Sequence, residues 1–300
     1  MYDLRAKPAD ISNATQAHVL GLPVSHSLSP KLHTAAYVHL GLPFSYTAIE
    51  VDEQDLPVFV EKLRSGTLLG LSLTMPLKSR AFELADEMTE TVRVTKSANT
   101  LVLREGKIWA ENTDVYGIKC ALDLRDEILK ESWFVLGTGA TARSAILALQ
   151  QLGVSNICVV GRNHKILSVI KSDFQVSTSS FTDIRHMKNA INTLPISAQL
   201  EILDLKPREA IAFDAMNNPW PTPVSDTAAI ELGSAITKDL QVLLDVVYKP
   251  WPTPFAIRVE SQHGIVFDGL QMLIHQAHAQ VEIMTGMALP VSIMSEAVTR

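Results

Sequence analysis

The chain has 300 residues, of which 47% are hydrophobic and 19% are charged, and its formal net charge at pH 7 is −6. This length suffices for one large domain or two ordinary ones. The acidic balance and the lack of a basic tract argue against a nucleic-acid partner, because such a partner requires cations to neutralise its phosphates. No uncharged apolar run reaches the roughly 18 residues of a membrane span, and the first residues form no apolar signal core. We therefore expect a cytoplasmic protein with no membrane partner.

The sequence predicts no metal site. Cys120 and Cys158 each lie in an apolar run and fit no metal-ligand spacing, so we expect reduced thiols rather than a disulfide. His275 and His278 lie three residues apart on a predicted helix. A catalytic zinc needs three protein ligands, and no third ligand can be identified. We interpret both histidines as core or surface residues.

The first 75 residues alternate between strand and helix patterns. Strands are predicted over 18–21, 47–51 and 68–74, and helices are predicted to begin at Pro30 and to cover 56–63. Ser29 is a candidate cap for the first helix, with Pro30 in its first turn and Gly41 at its end. Strands joined by helices predict a parallel α/β layer.

A second α/β unit is predicted to begin near Trp133. A strand over 133–136 leads into the turn Gly137-Thr138-Gly139-Ala140 and a helix through about residue 152, and the next strand covers 156–160. Further strands are predicted over 190–192, 210–214 and 242–247, followed by a helix over 268–286. Pro-Trp-Pro-Thr-Pro occurs at 219–223 and again at 250–254, and we interpret both copies as loops rather than as a structural repeat.

The glycine turn between 137 and 139 indicates a nucleotide site. A glycine-rich strand-to-helix turn directs backbone N–H groups and a helix N-terminus toward a pyrophosphate. The alternative is a tight turn that binds no ligand. After the next strand stand Arg162 and Asn163 and no acid. An arginine there favours NADP over NAD, since NADP carries a 2′-phosphate; a solvated basic turn is the other interpretation.

An amine follows a predicted strand and a proline turn, and a carboxylate stands farther along the chain. Lys78 comes after the strand over 68–74 and Pro76, and Asp114 comes after Asn112-Thr113. Such loops face the ligand cleft of an α/β sheet. Taken alone, Lys78 is far more often a surface lysine than a functional one, and Asp114 could simply cap the helix that follows. Ser25, Ser27 and Ser29 place hydroxyl groups at a helix start, where they are suited to bind a carboxylate. The alternative is that they are only turn and cap residues.

Together, these segments resemble the shikimate dehydrogenase family over nearly the whole chain. The matching motifs are Ser27-Leu28-Ser29-Pro30, Thr74-Met75-Pro76-Leu77-Lys78, Ala98-Asn99-Thr100-Leu101, Asn112-Thr113-Asp114, Asp245-Val246-Val247-Tyr248-Lys249-Pro250 with Thr253-Pro254, and Gly269-Leu270 with Met272-Leu273 and Gln276-Ala277. Each motif is short, but six of them in the right order are specific.

The resemblance implies an α/β fold of two domains. Residues 1–113 are expected to form a substrate-binding α/β domain, 114–266 a Rossmann-like NADP-binding domain with a parallel sheet, and 267–300 a C-terminal helix that returns to the substrate domain. The implied reaction is the reversible NADPH-dependent reduction of 3-dehydroshikimate to shikimate, in the chorismate pathway to the aromatic amino acids. The chain is expected to work as a monomer or homodimer.

The resemblance also implies the roles of individual residues. Lys78 and Asp114 are the expected catalytic residues. The expected substrate-binding residues are Ser27, Ser29, Ser72, Thr74, Asn99, Tyr248 and Gln276. The expected cofactor-binding residues are Gly137, Thr138, Gly139, Ala140, Thr141, Arg162, Asn163, Asn192, Thr193, Val247 and Gly269.

The chain departs from the family pattern in three places. Ser72 replaces an asparagine, the Gly-Ala-Gly-Gly turn reads Gly-Thr-Gly-Ala, and Asn-Arg-Thr reads Gly161-Arg162-Asn163. Two alternatives therefore stay open. One is an NAD-dependent quinate/shikimate dehydrogenase, which an acid after the second Rossmann strand would favour. The other is a catalytically silent regulator of the same fold that binds a metabolite, which the loss of Lys78 or Asp114 would favour.

Overall fold

The computed structural model describes residues 14–122, 126–181, 187–203 and 239–299. The predicted strand over 210–214 and the proline loop over 219–223 lie outside these residues. The chain divides into two compact units, which are Met1–Cys120 with Gln271–Arg300 (the first unit) and Ala121–Leu270 (the second unit). The domain boundaries expected from the sequence, after residues 113 and 266, lie a few residues before these two divisions.

Strands and helices alternate along most of the described chain. The strands are β1 (Gln16–Gly21), β2 (Ser45–Glu50), β3 (Gly70–Leu73), β4 (Glu87–Met88), β5 (Thr100–Arg104), β6 (Lys107–Glu111), β7 (Trp133–Leu136), β8 (Ile157–Val160), β9 (Ser177–Ser179), β10 (Asn189–Asn192), β11 (Val242–Asp245) and β12 (Ile265–Phe267). The helices are α1 (Ser29–His39), α2 (Leu56–Arg64), α3 (Lys78–Leu84), α4 (Glu90–Thr95), α5 (Asp114–Ala121), α6 (Asp126–Leu129), α7 (Ala140–Gln151), α8 (His164–Phe174), α9 (Ile196–Ile202), α10 (Pro254–Glu260), α11 (Gly269–Thr285) and α12 (Val291–Thr299). The α/β class predicted from the sequence is confirmed.

The first unit contains a mixed six-stranded sheet in the order β2-β1-β3-β5-β6-β4. β1 pairs in parallel with β2 and β3, as predicted for a parallel layer. β5 and β6 form an antiparallel hairpin that the sequence analysis missed. Its turn residues Glu105 and Gly106 have φ values of 51° and 75°, which is the backbone of the tightest hairpin turns. One face of this sheet is covered by a cluster of buried apolar residues that includes Leu20, Leu71 and Leu101.

The start of α1 corrects one prediction. Ser29 does not cap the helix but is its first residue, and Leu28 stands at the cap position without a side-chain hydrogen bond. The reason is local, because the Ser27 hydroxyl accepts a hydrogen bond from the backbone N–H of Ser29 at 3.2 Å. The other predicted ends of this helix and of α11 are confirmed by the left-handed backbone of Gly41 and Gly286.

The second unit contains a six-stranded sheet that is parallel throughout, in the order β12-β11-β10-β7-β8-β9. This is the doubly wound order of dinucleotide-binding sheets, in which the chain runs outward in both directions from a switch point. Here the switch point lies between β7 and β10. The loops that follow these strands and their neighbours β8 and β11 leave the same edge of the sheet, since parallel strands point the same way.

No helix in the described ranges is long and apolar enough to span a lipid bilayer. Cys120 and Cys158 are both free thiols of intermediate exposure. His275 packs edge-on against Tyr116, and His278 Nε2 lies 2.7 Å from the carbonyl oxygen of Leu289. Both histidines therefore have structural contacts.

Candidate active site

Lys78 and Asp114 form a buried ion pair in the first unit. Lys78 opens α3 and Asp114 opens α5, so two helix starts bring the side chains together. Lys78 Nζ lies 2.6 Å from Asp114 Oδ2, and the two side chains are only 11% and 4% exposed. Breaking such a pair by removing one partner leaves an uncompensated buried charge, which is strongly destabilising. The two residues predicted to be catalytic are therefore brought into direct contact.

Asn99 holds the carboxylate of this pair in place. Its Nδ2 donates to Asp114 Oδ1 at 2.8 Å and to Gln276 Oε1 at 3.2 Å. Its Oδ1 accepts from the Thr113 N–H and from the Thr100 hydroxyl, each at 2.9 Å. Because both ends of the amide are bonded, its orientation is fixed with the nitrogen toward Asp114. Asn99 and Gln276, both predicted from the sequence, therefore join the Lys78–Asp114 pair in one buried cluster.

The other substrate residues expected in this unit lie on neighbouring segments. Ser72 is buried on β3, and its hydroxyl donates to Gln280 Oε1 at 2.9 Å. Ser29 is buried at the start of α1, while Ser27 and Thr74 are partly exposed. Within the described ranges, the hydrogen bonds around Asn99 reach Ser72 through Gln280 but do not include Ser27, Ser29 or Thr74. Tyr248 lies in the second unit, partly buried, shortly after β11.

The glycine turn of the second unit follows β7. Gly137 has φ = +113°, and a Cβ atom there would lie 2.4 Å from the Thr193 hydroxyl oxygen, so only glycine fits. Thr193 in turn donates to the carbonyl of Leu136 at 2.7 Å. Gly139, at the N-terminus of α7, has open space where a Cβ atom would stand. The turn thus leaves the helix N-terminus accessible, and Thr138, Ala140 and Thr141 lie beside it.

Arg162 and Asn163 follow β8 with no acidic residue between them and the strand. Arg162 is exposed, and its Nη1 donates to both carboxylate oxygens of Glu201 at 2.9 Å each. Asn163 caps α8, because its side chain accepts from the N–H groups of Lys165 and Ile166. The sequence analysis identified both residues but did not anticipate Glu201, which stands on α9 and carries the opposite charge.

Three more predicted cofactor residues lie along the same sheet edge. Asn192 is buried at the end of β10 and accepts from the Leu194 N–H at 3.2 Å. The Val247 N–H, after β11, donates to Asp245 at 3.1 Å. A Cβ atom on Gly269 would lie 2.2 Å from the Val246 carbonyl oxygen. The glycine therefore allows the first residue of α11 to approach this loop.

Asp245 is a buried hub that the sequence analysis matched only as part of a motif. Its carboxylate accepts from the Thr253 hydroxyl at 2.6 Å, from the Gln199 amide at 3.2 Å and from the Val247 N–H. Burial raises the pKa of Asp245 to about 6, although these hydrogen bonds act in the opposite direction. The carboxyl group thus shapes the loop that carries Val247 and Tyr248.

The raised pKa of Asp245 predicts a pH-dependent stability. The folded chain retains a proton on this group that the unfolded chain loses near pH 4, so the stabilisation is complete below pH 4 and is lost as the pH rises through about 6. Relative to Asp245→Asn, the protein is expected to lose about 3 kcal/mol of unfolding free energy between pH 4 and pH 8. Denaturant unfolding of both proteins across this range measures the difference.

Asp86 supplies a control of opposite sign for this experiment. A hydrogen bond from Arg64 lowers the pKa of Asp86, so its contribution is present at neutral pH and is lost as the pH falls. The stability difference between the protein and Asp86→Asn is therefore expected to grow as the pH rises from acid. A flat difference for Asp245→Asn over the same range would show that the Asp245 carboxyl group is not perturbed.

Segments near both ends of the chain are matched by models of known protein families. A family model described as the shikimate dehydrogenase substrate binding domain matches residues 19–101, and one described as the shikimate 5′-dehydrogenase C-terminal domain matches 269–299. The shikimate dehydrogenase (NADP(+)) of Prochlorococcus marinus strain MIT 9312 is 32% identical over 93% of this chain and 95% of its own. This chain belongs to the shikimate dehydrogenase family. The enzyme of that name from Microcystis aeruginosa is 30% identical over 94% of this chain and 95% of its own.

Solved structures of the family have the same fold. Mycobacterium tuberculosis shikimate dehydrogenase is 34% identical, with a TM-score of 0.78 over 95% of this chain and 99% of its own. Shikimate 5-dehydrogenase from Thermus thermophilus, solved in complex with NADP(H) and shikimate, is 27% identical, with a TM-score of 0.75 over 95% of this chain and 98% of its own. The family resemblance and the fold inferred from the sequence motifs are confirmed.

Proposed function

We propose that this protein is a shikimate dehydrogenase, an oxidoreductase that reversibly reduces 3-dehydroshikimate to shikimate with NADPH, in the pathway to chorismate and the aromatic amino acids. The observation that carries the proposal is the buried Lys78–Asp114 ion pair, with Nζ 2.6 Å from Oδ2, in a chain of this family. A silent binding protein has no need of such a pair, because two buried charges cost more to desolvate than apolar residues of the same size.

Lys78 suits the proton transfer that reduction of a ring ketone requires. NADPH, when bound, supplies a hydride to the carbonyl carbon. The carbonyl oxygen then gains negative charge, and a nearby ammonium group both stabilises that charge and donates the proton. In the oxidation of shikimate, Lys78 accepts the proton from the ring hydroxyl instead. Asp114 holds the ammonium group by the ion pair and is itself held by Asn99.

The polar groups around this pair suit a hydroxylated ring acid. Asn99, Asp114 and Gln276 are proposed to bind ring hydroxyls. Ser72 on β3 and Thr74 directly after β3 are also proposed to bind the substrate. Ser27 and Ser29 are proposed to bind the carboxylate, and Tyr248 is proposed as a further substrate-binding residue. A site that hydrogen-bonds hydroxyl groups strongly rejects analogues that lack them, since its buried polar groups would be left unpaired.

The residues at the sheet edge of the second unit fit NADP. Gly137 and Gly139 open the backbone at the N-terminus of α7, where the pyrophosphate would bind. Thr138, Ala140, Thr141, Asn192, Thr193 and Val247 are proposed to complete the dinucleotide site. Arg162 would bind the 2′-phosphate, and Asn163 holds the turn that carries it. Glu201 competes with the phosphate for Arg162, since Arg162 Nη1 is bonded to both of its carboxylate oxygens.

The Arg162–Glu201 pair predicts opposite effects of two substitutions. Arg162→Ala is expected to weaken NADP binding roughly tenfold to a hundredfold, because it removes a charge-assisted hydrogen bond, and to leave NAD binding nearly unchanged. Glu201→Gln is expected to tighten NADP binding by no more than about fivefold, since exposed ion pairs are weak. Calorimetric titration with each nucleotide measures both effects.

Arg64→Ala is a matched control for these titrations. Arg64 also forms an exposed ion pair, with Asp86 at 2.6 Å, but it belongs to the first unit. We expect it to leave both affinities unchanged. Equal losses of NADP and NAD affinity in Arg162→Ala would show that Arg162 does not bind the 2′-phosphate.

A two-by-two assay tests the proposed function. The purified protein is offered shikimate or quinate, each with NADP or NAD, and the reduced nucleotide is followed by absorbance. Turnover of shikimate with NADP is the expected result. Faster turnover of quinate with NAD would identify a quinate/shikimate dehydrogenase. Binding of shikimate without turnover in any combination would identify a silent regulator. The cytoplasmic location, the monomeric or homodimeric state and the absence of a nucleic-acid partner stay predictions.

A further inference from the structure

Gln280 links three segments of the first unit. It lies on α11, one turn after Gln276, and is 2% exposed. Its Oε1 accepts from the Ser72 hydroxyl at 2.9 Å. Its Nε2 donates to the Asn99 carbonyl at 3.0 Å and to the Thr100 hydroxyl oxygen at 2.9 Å. The amide is thus bonded at both ends, which fixes its orientation.

A chain of hydrogen bonds runs from Gln280 to the ion pair with a single direction of donation. Gln280 donates to the Thr100 hydroxyl oxygen, so the Thr100 proton is free to point toward Asn99 Oδ1, 2.9 Å away. With its oxygen accepting from Thr100, the Asn99 amide presents its nitrogen to Asp114 Oδ1. A reversed Asn99 amide would place an oxygen against the carboxylate, which is repulsive. Gln280, the first donor of this chain, therefore favours the orientation of the Asn99 amide in which its nitrogen donates to Asp114.

Gln280 also restricts the hydrogen bonds that the Ser72 hydroxyl can form with a ligand. The Ser72 proton is donated to Gln280 Oε1, so only the oxygen lone pairs of Ser72 remain for other partners. A serine at this position can then accept a hydrogen bond from a substrate hydroxyl but cannot donate one.

A buried imidazole lies near Gln280. His33 is fully buried, stacks on Tyr46 with ring centroids 3.8 Å apart, and is close to Gln280. Burial lowers the pKa of His33 to about 3, and Gln280 opposes that shift, so the imidazole is neutral at physiological pH. His33 therefore places no charge beside the amide of Gln280. Unlike Gln276, this glutamine was not among the residues expected from the sequence.

We propose that Gln280 is a positioning residue of the active site, which sets the donor direction of the Thr100–Asn99–Asp114 chain and makes Ser72 an acceptor. It acts on the Lys78–Asp114 pair through Asn99 rather than by touching substrate. The catalytic part of this proposal rests on the proposed function, whereas its effect on Asn99 does not.

Gln280→Met tests the proposal, because methionine has a similar length and no hydrogen-bonding amide. We expect kcat/KM for shikimate to fall about tenfold to a hundredfold, since a small misplacement of catalytic groups has effects of this size. The affinity for NADP, measured by titration, is expected to stay unchanged. Thr100→Val is expected to produce a similar loss, and the double variant no more than the larger single loss, because both act in one chain.

Thr285→Val is the matched control on the same helix. Thr285 is 3% exposed and donates to the Val281 carbonyl at 2.8 Å, so its replacement also removes a buried hydrogen bond from α11. We expect it to keep the kcat/KM of the unmodified protein. A loss in Gln280→Met no larger than that in Thr285→Val, or losses that add in the double variant, would overturn the proposal.

Hydrogen exchange separates this proposal from the proposed function. The Thr113 and Leu73 N–H groups donate to Asn99 Oδ1 and to the Asn99 carbonyl, at 2.9 Å and 2.8 Å. In ligand-free protein we expect both amides to exchange faster in Gln280→Met than in Thr285→Val. Unchanged exchange would overturn the positioning role even in an active enzyme. Faster exchange in a protein that turns over no substrate would leave the role standing and overturn only the proposed function.

Discussion

Replacing Lys78 with methionine is expected to lower the turnover of shikimate by a factor of about 10² to 10⁴, the range that general acid–base catalysis contributes. Methionine matches the length of the lysine stem but carries no proton and no charge. Shikimate is still expected to bind, because Asn99, Asp114 and Gln276 stay in place. Steady-state kinetics and a calorimetric titration with shikimate measure the two quantities separately.

Lys78→Arg separates the contribution of the positive charge at position 78 from that of proton transfer. Arginine keeps a positive charge beside Asp114 but is not deprotonated in proteins, so it cannot accept a proton from a ring hydroxyl. We therefore expect this variant to remain folded and to lose shikimate oxidation almost as completely as Lys78→Met. Near-normal oxidation by either variant would show that Lys78 is not the acid/base group.

Removing only the carboxylate is expected to destabilise the protein by about 3–5 kcal/mol, because Asp114→Leu leaves the buried Lys78 ammonium without its carboxylate. The double variant Lys78→Met/Asp114→Leu removes both charges and is expected to regain most of that stability, since apolar pairs of similar volume often replace buried ion pairs without loss. Asn99 still has the Thr113 and Gln276 oxygens as acceptors in the double variant.

Activity is expected to stay absent in the double variant. Denaturant unfolding measures the stability of the four proteins in this cycle, and the shikimate assay measures their activity. Restored stability without restored turnover would show that the pair is retained for catalysis rather than for folding. A double variant as unstable as the single ones would contradict the energetic argument.

The sequence predicted the central residues of the site because short motifs carry them. Lys78, Asn99, Asp114 and Gln276 are recognisable from a few neighbouring residues each, and the structure brings them together across large sequence separations. Their contacts could not be read from the motifs, since which oxygen accepts from which amide depends on packing. The structure supplies those partners.

Other residues were missed although the sequence contained a signal. Gln280 follows Gln276 by four residues, so both lie on one face of a helix, and a second buried amide there was foreseeable. Asp245 is an acidic residue at the end of an apolar strand. Glu201 had no such signal, because its distance from Arg162 depends on how α9 follows β10.

Uninterrupted apolar runs predicted strands in both sheets. The strand over 133–136 agrees with β7 at both ends. The β5–β6 hairpin was missed because its turn, at Glu105 and Gly106, lacks the asparagine or aspartate that signals the tightest turns. The error at Ser29 arose because the preceding hydroxyl, that of Ser27, accepts from the Ser29 N–H, and composition alone does not show which of the two serines serves the helix start.

The helix that carries Gln276 and Gln280 has a consequence for the order in which the protein forms during synthesis. Residues 271–300 belong to the first unit, yet the ribosome makes them after all of Ala121–Leu270. Domains generally fold as they emerge, the N-terminal one first. Here the strands of the first sheet emerge early. Asn99 and Thr100 cannot form their hydrogen bonds to α11, however, until the second unit has been synthesised. The second unit is therefore complete before the first unit, which contains the Lys78–Asp114 pair.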